Sequence, residues 1–409
     1  MKKIMTLAAV AALVFSACAK IETFENTTAD NAINFGVYAG NSATKATYGD
    51  ITTANLQTST DGFGVFAYYT LHNAWADTDT PNFMYNQQVR HISSYDSNPT
   101  DYSAAKYPSS WYYAPLKYWP NGQNATEVES GTFNDKISFF AYAPQIATSA
   151  LGTVPASGEG ITAMSANNDA GAPTLDFTVP SKAEKQIDLL YATPLMNQTH
   201  QNLAGRVAFT FNHALAKLNF QVQAVVDATA SPTSNLTDDG DDTFEEGETW
   251  IILQSLEIKA DGSKSGTLSL EDGTWSSVSG ETVVTYTNDS FAAANIKTAN
   301  GKEGFKVTET ATDLNGTISP MIIPATIASG KYIVKADYWV VTKDTALSSG
   351  YTTVQQVIKK TSTGALTFDK GKKYNIVVRL GLNSLDFNVT TVSDWTDAAG
   401  SPVDLPQNS

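Results

Sequence analysis

Cysteine is almost absent from this chain of 409 residues, which contains only Cys18. A single thiol cannot form an internal disulfide, and this excludes a disulfide-stapled fold and a cysteine-rich metal site. Histidine is also scarce, and no two of the four histidines have the His-x-x-x-His spacing of helical metal ligands. We therefore predict no metal and no cofactor, and we interpret His213, between two predicted strands, as a structural imidazole.

Recognisable catalytic motifs are missing as well. The sequence has no Gly-x-Ser-x-Gly elbow, His-Glu-x-x-His helix, Walker loop or dinucleotide fingerprint. Ser103 and Lys106 form Ser-x-x-Lys, but no Ser-Asp-Asn or Lys-Thr-Gly follows, so we attribute the match to chance. The 41 acidic residues leave a glycosidase open in principle, yet no particular pair is indicated. We predict that the chain is not an enzyme and has no catalytic residues.

Positive charge is in deficit. The 26 Lys and Arg residues face 41 Asp and Glu residues, and the formal net charge is −15. A chain of this charge is repelled by nucleic acid and by anionic lipid surfaces. Nucleic acid is therefore excluded as a partner.

Only one long apolar run occurs, and it lies at the start of the chain. Lys2 and Lys3 precede an apolar stretch from Ile4 to Phe15 that only Thr6 interrupts. This layout is typical of a bacterial export signal. The run is shorter than the roughly 20 residues of a membrane-spanning helix. The sequence predicts an exported protein without a transmembrane helix.

The lone cysteine follows this leader directly, in LVFSACAK (13–20). Small residues and then cysteine after an apolar stretch are typical of a lipoprotein signal, although Phe15 replaces the usual Leu. We predict a signal peptide over 1–17 and lipidation of Cys18, with the acyl chains as anchor in the outer membrane. The alternative is an ordinary secretory leader that contains a cysteine.

Alternating apolar residues are abundant in the rest of the chain. With 18 Tyr, 18 Phe and only 16% charged residues, the composition favours strands over helices. Period-two alternation predicts half-buried antiparallel strands, separated by turns at Asp61-Gly62, Asp261-Gly262, Ser329-Gly330 and Lys370-Gly371. We predict an all-β fold of sandwich type with few short helices, of one or two turns each, over 53–58 and 181–190. The clearest alternating sets are Val207, Phe209, Phe211; Leu218, Phe220, Val222; Tyr332, Val334, Ala336, Tyr338, Val340; and Tyr374, Ile376, Val378, Leu380.

Composition also indicates the domain organisation. A change at NQTHQNLAG predicts a border near residue 205, between an N-terminal domain (46–205) and a C-terminal domain (206–409). The acidic stretch 238–248 contains carboxylates that suit calcium, but it does not fit the EF-hand pattern, so we favour a solvated loop.

The aromatic block WYYAPLKYWP (111–120) has two interpretations. It is either a platform on which sugars stack or part of the core, and we favour the core because buried aromatic residues are the more common case. This block, followed by ISFFAYAP (137–144), resembles the N-terminal domain of the fimbrillin family, the subunits of Bacteroidetes type V pili. Further segments are similar to that family in the same order: INFGVYAGNSATKA (33–46), FGVFAYYT (63–70), QIDLLYA (186–192), VAFTFNHALAKLNFQV (207–222), PMIIPATI (320–327), FDKGKKYNIVVRL (368–380) and VSDW (392–395).

The resemblance implies two transthyretin-like β-sandwich domains in tandem, lipoprotein export and assembly with other pilin subunits on the cell surface. In pilus-forming members a protease trims the N-terminal segment and removes a strand, and a neighbouring subunit donates a strand to the groove. A removed strand leaves unpaired backbone and an empty apolar channel, and a donated strand restores both.

The parts needed for this assembly can be assigned to residues. Ile33, Phe35 and Val37 alternate as a removable first strand within a pro-segment (18–45), and Lys45 lies in a small polar loop where cutting is expected. The best-known pilus members are cut after arginine, and the three arginines of this chain lie elsewhere. If the protease demands arginine, the strand stays and the protein is an unprocessed pilus anchor or a non-polymerising relative.

Near the other terminus Leu385, Phe387 and Val389 alternate and are followed by Val392 and Trp395. This pattern suits a donor strand or a terminal strand docked in its own domain. We therefore predict a pilus subunit or a pilus-associated adhesin that contacts host or bacterial surface ligands. The alternative from another class is a surface lipoprotein that binds glycans through Trp111 and Trp119.

Overall fold

The computed structural model of the chain describes residues 32–39, 51–120, 134–182, 185–200, 206–228, 236, 241–314 and 320–394, except for the side chains of 392–394. The predicted leader, Cys18, Lys45, Trp395 and the side chain of Val392 therefore lie outside the described residues. Within these ranges, no helix has the length and apolar character needed to cross a membrane.

Regular structure in the described residues is almost entirely β, which confirms the predicted fold class. The single α-helix in these ranges is α1 (Thr53–Thr58), as predicted for 53–58. The described residues of 181–190 contain no α-helix, so the second predicted segment is not confirmed. Thr52 caps it, because its hydroxyl accepts a hydrogen bond of 3.2 Å from the Asn55 N–H. Short 3₁₀ helices occupy Ile92–Ser94, Thr148–Ala150 and Ala293–Asn295.

The N-terminal sheet curls around an apolar core. Ala32 forms an antiparallel bridge with Tyr118, so the first strand approaches the chain just beyond the opposite edge of the sheet. The strands in spatial order are β1 (Asn34–Tyr38), β10 (Arg206–His213), β8 (Leu190–Ala192), β5 (Ile137–Ala143), β2 (Phe63–Tyr69), β3 (Met84–His91) and β4 (Trp111–Tyr112), with β9 (Leu195–Gln198) also on β5.

The central strands of this sheet are buried on both faces. In β2, Phe63 and Val65 face the enclosed core, whereas Phe66 and Tyr68 face the opposite side. Neighbouring β5 follows the same rule, which explains the nearly continuous apolar sequences FGVFAYY and ISFFAYA. A second apolar layer must therefore cover the outer face of the N-terminal sheet.

Two further sheets enclose the C-terminal core. The C-terminal sheet contains β11 (Ala216–Ala224), β22 (Lys372–Leu380) and β23 (Leu385–Asp394), with β16 (Thr312–Asp313) and β17 (Met321–Ile322) on β11. The sheet that we call the long sheet contains β14 (Ile296–Ala299), β15 (Lys302–Val307), β12 (Thr249–Ser269), β19 (Tyr332–Lys343) and β20 (Tyr351–Thr361), with β13 (Trp275–Thr287), β7 (Thr174–Thr178) and β6 (Gly160–Met164) joined through β12. A small ribbon pairs β18 (Ala325–Ile327) with β21 (Leu366–Phe368).

The four predicted alternating sets are confirmed as strands with one buried face. They lie in β10, β11, β19 and β22, and all of their named apolar residues are buried. The sets in β11, β19 and β22 meet in the core between the two C-terminal sheets. Alternation thus identified the inward face of each strand correctly. The predicted antiparallel pairing is only partly correct, because β11 and β22 pair in parallel with each other and β10 pairs in parallel with β1.

The turn predicted at Asp261-Gly262 is wrong. Gly262 has a φ of +71° and produces a bulge, while the chain continues as one 21-residue strand, β12. The hydroxyl of buried Ser263 donates a hydrogen bond of 2.8 Å to the carbonyl oxygen of Ala260 at this bulge. The chain reverses later, around Gly273, so the hairpin of β12 and β13 is longer than the sequence predicted.

This long hairpin supplies the layer that covers the outer face of the N-terminal sheet. Leu268 and Leu270 pack with Phe66 and Phe140, and β12 also pairs with β7. The predicted border at residue 205 lies outside the described residues, and the sheets do not divide at this position. β10, which follows it, pairs with β8, whereas β7, which precedes it, joins the long sheet, because the chain crosses between the layers more than once.

Candidate functional site

The first strand lies at an edge of the N-terminal sheet. β1 pairs in parallel with β10, in a register from Asn34 opposite Arg206 to Tyr38 opposite Thr210. The residues predicted as a removable strand therefore form a strand, with Ile33 immediately before it. β10, the strand that pairs with β1, is distant from it in sequence. Their contact therefore joins two widely separated segments of the chain at one side of the sheet.

The inward side chains of β1 complete the enclosed core. Ile33 and Phe35 are fully buried and Val37 is partly buried against the same cluster. The ring of Phe35 lies 5.1 Å from that of Tyr113 and 6.0 Å from that of Phe209, measured between centroids. Removal of β1 would therefore open a channel lined by aromatic rings.

Two hydrogen bonds hold Ile33, the residue just before β1, to the chain around Tyr113 and Lys117. The Ile33 N–H donates to the Lys117 carbonyl oxygen at 2.9 Å, and the Tyr113 hydroxyl donates to the Ile33 carbonyl oxygen at 2.8 Å. Burial raises the pKa of Tyr113, so the hydroxyl keeps its proton at neutral pH. The sequence predicted neither contact. Its only signal for Tyr113 was that this residue lies within an aromatic block.

The aromatic block 111–120 belongs to the core, as we favoured. Trp111 is 4% exposed and Trp119 is 2% exposed, and both pack in the core that Phe35 completes. Neither indole presents a free face on which a sugar could stack. The glycan-binding alternative therefore loses the residues on which it depended.

The described residues on both sides of the predicted cutting site are anchored. Lys45 and the rest of 40–50 lie outside the described residues. Before them, the Ala39 N–H donates to Thr53 Oγ1 at 2.9 Å, and after them the Ile51 N–H donates to Asp188 Oδ2 at 2.7 Å. Ala39 and Ile51 are thus both fixed to the N-terminal sheet region, which suits a segment that a protease reaches on a stable scaffold.

Asp188 also contacts the histidine that we predicted to be structural. His213 Nδ1 lies 2.9 Å from Asp188 Oδ1, and the carboxylate is fully buried. The second carboxylate oxygen accepts the Ile51 N–H, so this pair links the end of β10 to the chain after the loop. In the described residues, no group of three or more His, Cys, Asp or Glu side chains is placed to hold a metal ion.

The acidic stretch is contacted by lysines of the chain itself. Residues 238–240 are outside the described residues, and within 241–248 Asp242 Oδ2 lies 2.8 Å from Lys297 Nζ. This hydrogen bond lowers the pKa of Asp242. Lys343 Nζ donates to the Phe244 carbonyl oxygen at 2.7 Å. These contacts offset part of the charge on a surface loop, while calcium binding stays an untested alternative.

The predicted donor strand is docked in its own domain. β23 is an edge strand that pairs antiparallel with β22 alone, from Leu380 opposite Leu385 to Lys372 opposite Asp394. Leu385 is buried, but Phe387 and Val389 are only partly buried against the core. Their alternation is therefore confirmed, and their packing is weaker than that of Ile33 and Phe35.

A cleft lies beside residues 386–389 of β23. It has a volume of about 300 Å³ and is lined by Phe387, Val389 and Leu366, among others. Lys360 Nζ forms an ion pair of 3.4 Å with Asp386 Oδ1 across its rim. Such a half-exposed pair contributes about 1 kcal/mol at most. β23 is held mainly by its backbone ladder with β22, by buried Leu385 and by the ring of Phe387, which lies 5.6 Å from that of Tyr332.

Comparison with known proteins assigns the family. The sequence model of the fimbrillin-like family matches residues 44–395. The chain belongs to the fimbrillin-like family. This fimbrillin-like chain is 27% identical to fimbrium subunit Fim1C of Phocaeicola vulgatus over 425 residues, which cover 98% of each sequence. It also shares a fold with a fimbrial protein from Bacteroides vulgatus, whose crystal structure has a TM-score of 0.63 at 24% identity and covers 90% of this chain and 100% of that one.

The family assignment confirms the resemblance seen in the sequence. Fimbrillin-like proteins are fimbrial structural subunits, a non-enzymatic class, and the assignment implies a pilus at the cell surface. The prediction that the chain is not an enzyme is therefore confirmed.

Proposed function

We propose that this fimbrillin-like chain is a structural subunit of a pilus, or a pilus-associated adhesin, assembled by donor-strand complementation. A cut at Lys45 releases β1, and β23 of a neighbouring subunit then occupies the channel. The observation that carries the proposal is the full burial of Ile33 and Phe35 in the edge strand β1 and just before it, on the N-terminal side of the predicted cutting site.

The energetics of the two strands support this direction of exchange. Emptying the channel exposes the rings of Tyr113 and Phe209 and leaves the edge of β10 unpaired, which is unfavourable until another strand fills it. Detaching β23 costs less, because Phe387 and Val389 are partly exposed already. In the proposed exchange, β23 leaves a site where its side chains are partly exposed and enters the channel of a neighbouring subunit, where they are buried.

The two strands have the same apolar pattern. β1 with its preceding residue reads INFGV and β23 begins LDFNV, so both place phenylalanine between two aliphatic residues at alternate positions. In the proposed exchange, Phe387 takes the site of Phe35. Lipidation of Cys18 brings the precursor to the outer membrane, and a cut at Lys45 removes the lipid together with the strand. We also propose two β-sandwich domains that divide near residue 205, with β7 pairing to the long sheet and β10 to the N-terminal sheet across that border.

The test uses protein recovered from the cell surface. N-terminal sequencing should find a terminus after Lys45, and electrophoresis without boiling should show a ladder of non-covalent oligomers. Phe387→Asp should abolish the ladder, whereas Asn388→Asp, on the exposed face of the same strand, should leave it unchanged. A surface form that begins only at lipidated Cys18 would exclude the stalk role.

The second candidate is an unprocessed pilus anchor. It is favoured by the absence of arginine from residues 40–50, where Lys45 is the only basic residue. In this role the chain keeps both its lipid and β1, and it provides only β23 to the next subunit. Lipidated Cys18 together with ladder formation that depends on Phe387 would select this candidate over the stalk subunit.

A further inference from the structure

The strand that leaves the channel and the strand that enters it differ by one charge. INFGV (33–37) and LDFNV (385–389) both have an aliphatic residue first, phenylalanine third and valine fifth. At the second position, INFGV has Asn34 and LDFNV has Asp386. With the two phenylalanines in the same site, the exchange therefore brings a carboxylate to a position where β1 has a neutral amide.

An arginine lies directly beside this position. In the parallel register of β1 and β10, Asn34 is opposite Arg206. Paired residues of neighbouring strands point to the same face of a sheet, so Arg206 is adjacent to whatever residue occupies the Asn34 position. Arg206 is half-buried, and no carboxylate of the described residues lies within 4.0 Å of its guanidinium. Within the described part of the chain, its charge is therefore not paired while β1 fills the channel.

Asn34 satisfies this position only partly. The residue is 8% exposed, and its amide nitrogen donates a hydrogen bond of 3.2 Å to the Ala32 carbonyl oxygen. Its Oδ1 is buried and has no hydrogen-bond partner among the described residues. A buried acceptor without a donor is unfavourable. An unpaired acceptor and an unpaired guanidinium thus occur at neighbouring positions of the same two strands.

The next outward position has room for the side chain that the donor brings. Gly36 lies opposite Ala208, and a Cβ added at Gly36 would lie 3.8 Å from the Ala208 Cβ, an ordinary van der Waals distance. In LDFNV the corresponding residue is Asn388, whose side chain is exposed in β23. The donor sequence can therefore follow the backbone path of β1 at this position without displacing β10.

In its own domain, Asp386 occupies a more exposed site. It is in register with Arg379 of β22, but its ion pair is with Lys360 Nζ at 3.4 Å, and these two side chains are 36% and 34% exposed. Water screens such a pair, so little attraction is lost when β23 leaves. At the nearly buried Asn34 position, the attraction between a carboxylate and a guanidinium is stronger, and an unpaired carboxylate would be unfavourable.

We propose that Arg206 selects the donor strand by forming an ion pair with Asp386 of the neighbouring subunit. The assignment rests on the proposed strand exchange and specifies its register. A slip of two residues keeps the apolar side chains inward but places Ser384 or Asn388 opposite Arg206. The ion pair therefore distinguishes one register from others that the apolar pattern allows, and it favours the donor strand over β1, which offers only Asn34.

The same pair specifies the direction of the donor strand. LDFNV alternates equally well when read backwards, so the apolar residues alone do not distinguish the two directions. An antiparallel insertion centred on Phe387 places Asp386 opposite Ala208 and leaves Arg206 without a carboxylate. The donor strand therefore runs parallel to β10, as β1 does.

The strength of the pair is measured by the rate at which the unboiled ladder dissociates on heating in detergent. Asp386→Asn gives the donor strand the amide of β1, and its ladder should dissociate at least ~10-fold faster, because loss of a shielded ion pair acts mainly on dissociation. Arg206→Gln should dissociate at least as fast, because it leaves a shielded carboxylate unpaired. The double variant should dissociate more slowly than Arg206→Gln alone, since neither charge remains.

Lys360→Gln is the matched control for these variants. It removes the ion pair that Asp386 makes in its own domain and leaves the channel unchanged, so its ladder should dissociate at the wild-type rate. Thermal unfolding of the unprocessed Arg206→Gln and Asp386→Asn chains verifies that both are folded.

Disulfide formation tests the register directly. Cys18 is either lipidated or removed in the proposed roles, so introduced cysteines carry the only free thiols. Arg206→Cys with Asp386→Cys should convert the ladder into covalent oligomers that persist on boiling without reductant, because paired residues of adjacent strands lie within disulfide reach. Arg206→Cys with Asn388→Cys is the control and should give few covalent oligomers, since a shift of two residues separates the Cα atoms by about 8 Å.

Two results would overturn the role of Arg206 while leaving the strand exchange intact. The first is a ladder that depends on Phe387 but dissociates at the same rate in wild type, Asp386→Asn and Arg206→Gln. The second is equal disulfide formation by the two cysteine pairs. A wild-type chain that forms no ladder would overturn the strand exchange itself, and the role of Arg206 with it.

Discussion

Phe35 lies against Phe209 with nearly parallel rings, 6.0 Å apart between centroids and inclined by 13°. One ring comes from β1 and the other from β10, the strand with which β1 pairs. The core of the N-terminal sheet is therefore closed by a residue that the proposed processing would remove. This contact connects the stability of the precursor to the opening of the channel.

Phe35→Ala should destabilise the unprocessed chain by about 3–5 kcal/mol, because it leaves a cavity among aromatic rings. Val37→Ala is the matched control on the same strand and should cost about 1 kcal/mol, since Val37 is partly exposed. Urea unfolding of both variants measures the difference. Equal losses at the two positions would contradict the packing described for β1.

Lys45→Gln should block removal of the N-terminal segment if a trypsin-like protease acts at this loop. We expect surface protein with an intact N-terminus and no oligomer ladder, because β1 still fills the channel. Lys20→Gln removes another lysine of the pro-segment and should be processed normally. Normal maturation of Lys45→Gln would show that cutting occurs elsewhere.

Gly273→Ala should destabilise the fold by about 3 kcal/mol or more. Gly273 has a φ of +68°, and an added Cβ would lie 2.1 Å from the ring of Tyr191 in the N-terminal sheet. Gly262→Ala is the control, because Gly262 has a similar φ of +71° but open space around it. We expect only about 1–2 kcal/mol there, from the backbone alone. Similar losses at both positions would contradict the close contact between the hairpin and Tyr191.

Alkaline pH should unfold the chain before its tyrosines titrate in the folded state. Burial raises the pKa of Tyr107 to about 12 and raises that of Tyr332 and Tyr338 further. Tyrosines of the unfolded chain ionise near pH 10, so their contribution to stability is intact below that pH and is lost as pH rises above it. The last part of the phenolate absorbance change, which comes from the buried tyrosines, should therefore coincide with the loss of circular dichroism. Ionisation of all 18 tyrosines near pH 10 in a chain that keeps its circular dichroism would refute the burial of these rings.

Much of the candidate site could be predicted, because alternation is a local property. The patterns at Ile33 to Val37 and at Leu385 to Val389 identified both strands and their inward residues. Alternation does not predict which strand lies beside a given strand. The contacts of β1 with Phe209, Tyr113 and Lys117 join segments distant in sequence, and the partial exposure of Phe387 depends on how far the opposite sheet extends.

The Asp261-Gly262 dipeptide shows the same limit. Asp-Gly is a strong turn signal, yet here Gly262 bulges a strand that continues towards the N-terminal sheet. The pairing of β12 with β7 and the apolar layer around Leu268 outweigh the local preference for reversal. A hairpin thereby becomes the connection between the two halves of the molecule.

The sequence by itself determined the strand class of the fold, the inward face of each main strand and the lack of recognisable catalytic motifs. These depend on residue type and on period-two spacing, which act over a few residues. Only the tertiary structure decided that β1 closes the channel beside β10, that β23 is an edge strand with partly exposed side chains, and that β20 is an open edge. Those features depend on which distant strands pack together, and the free energy of such packing is shared among whole sheets.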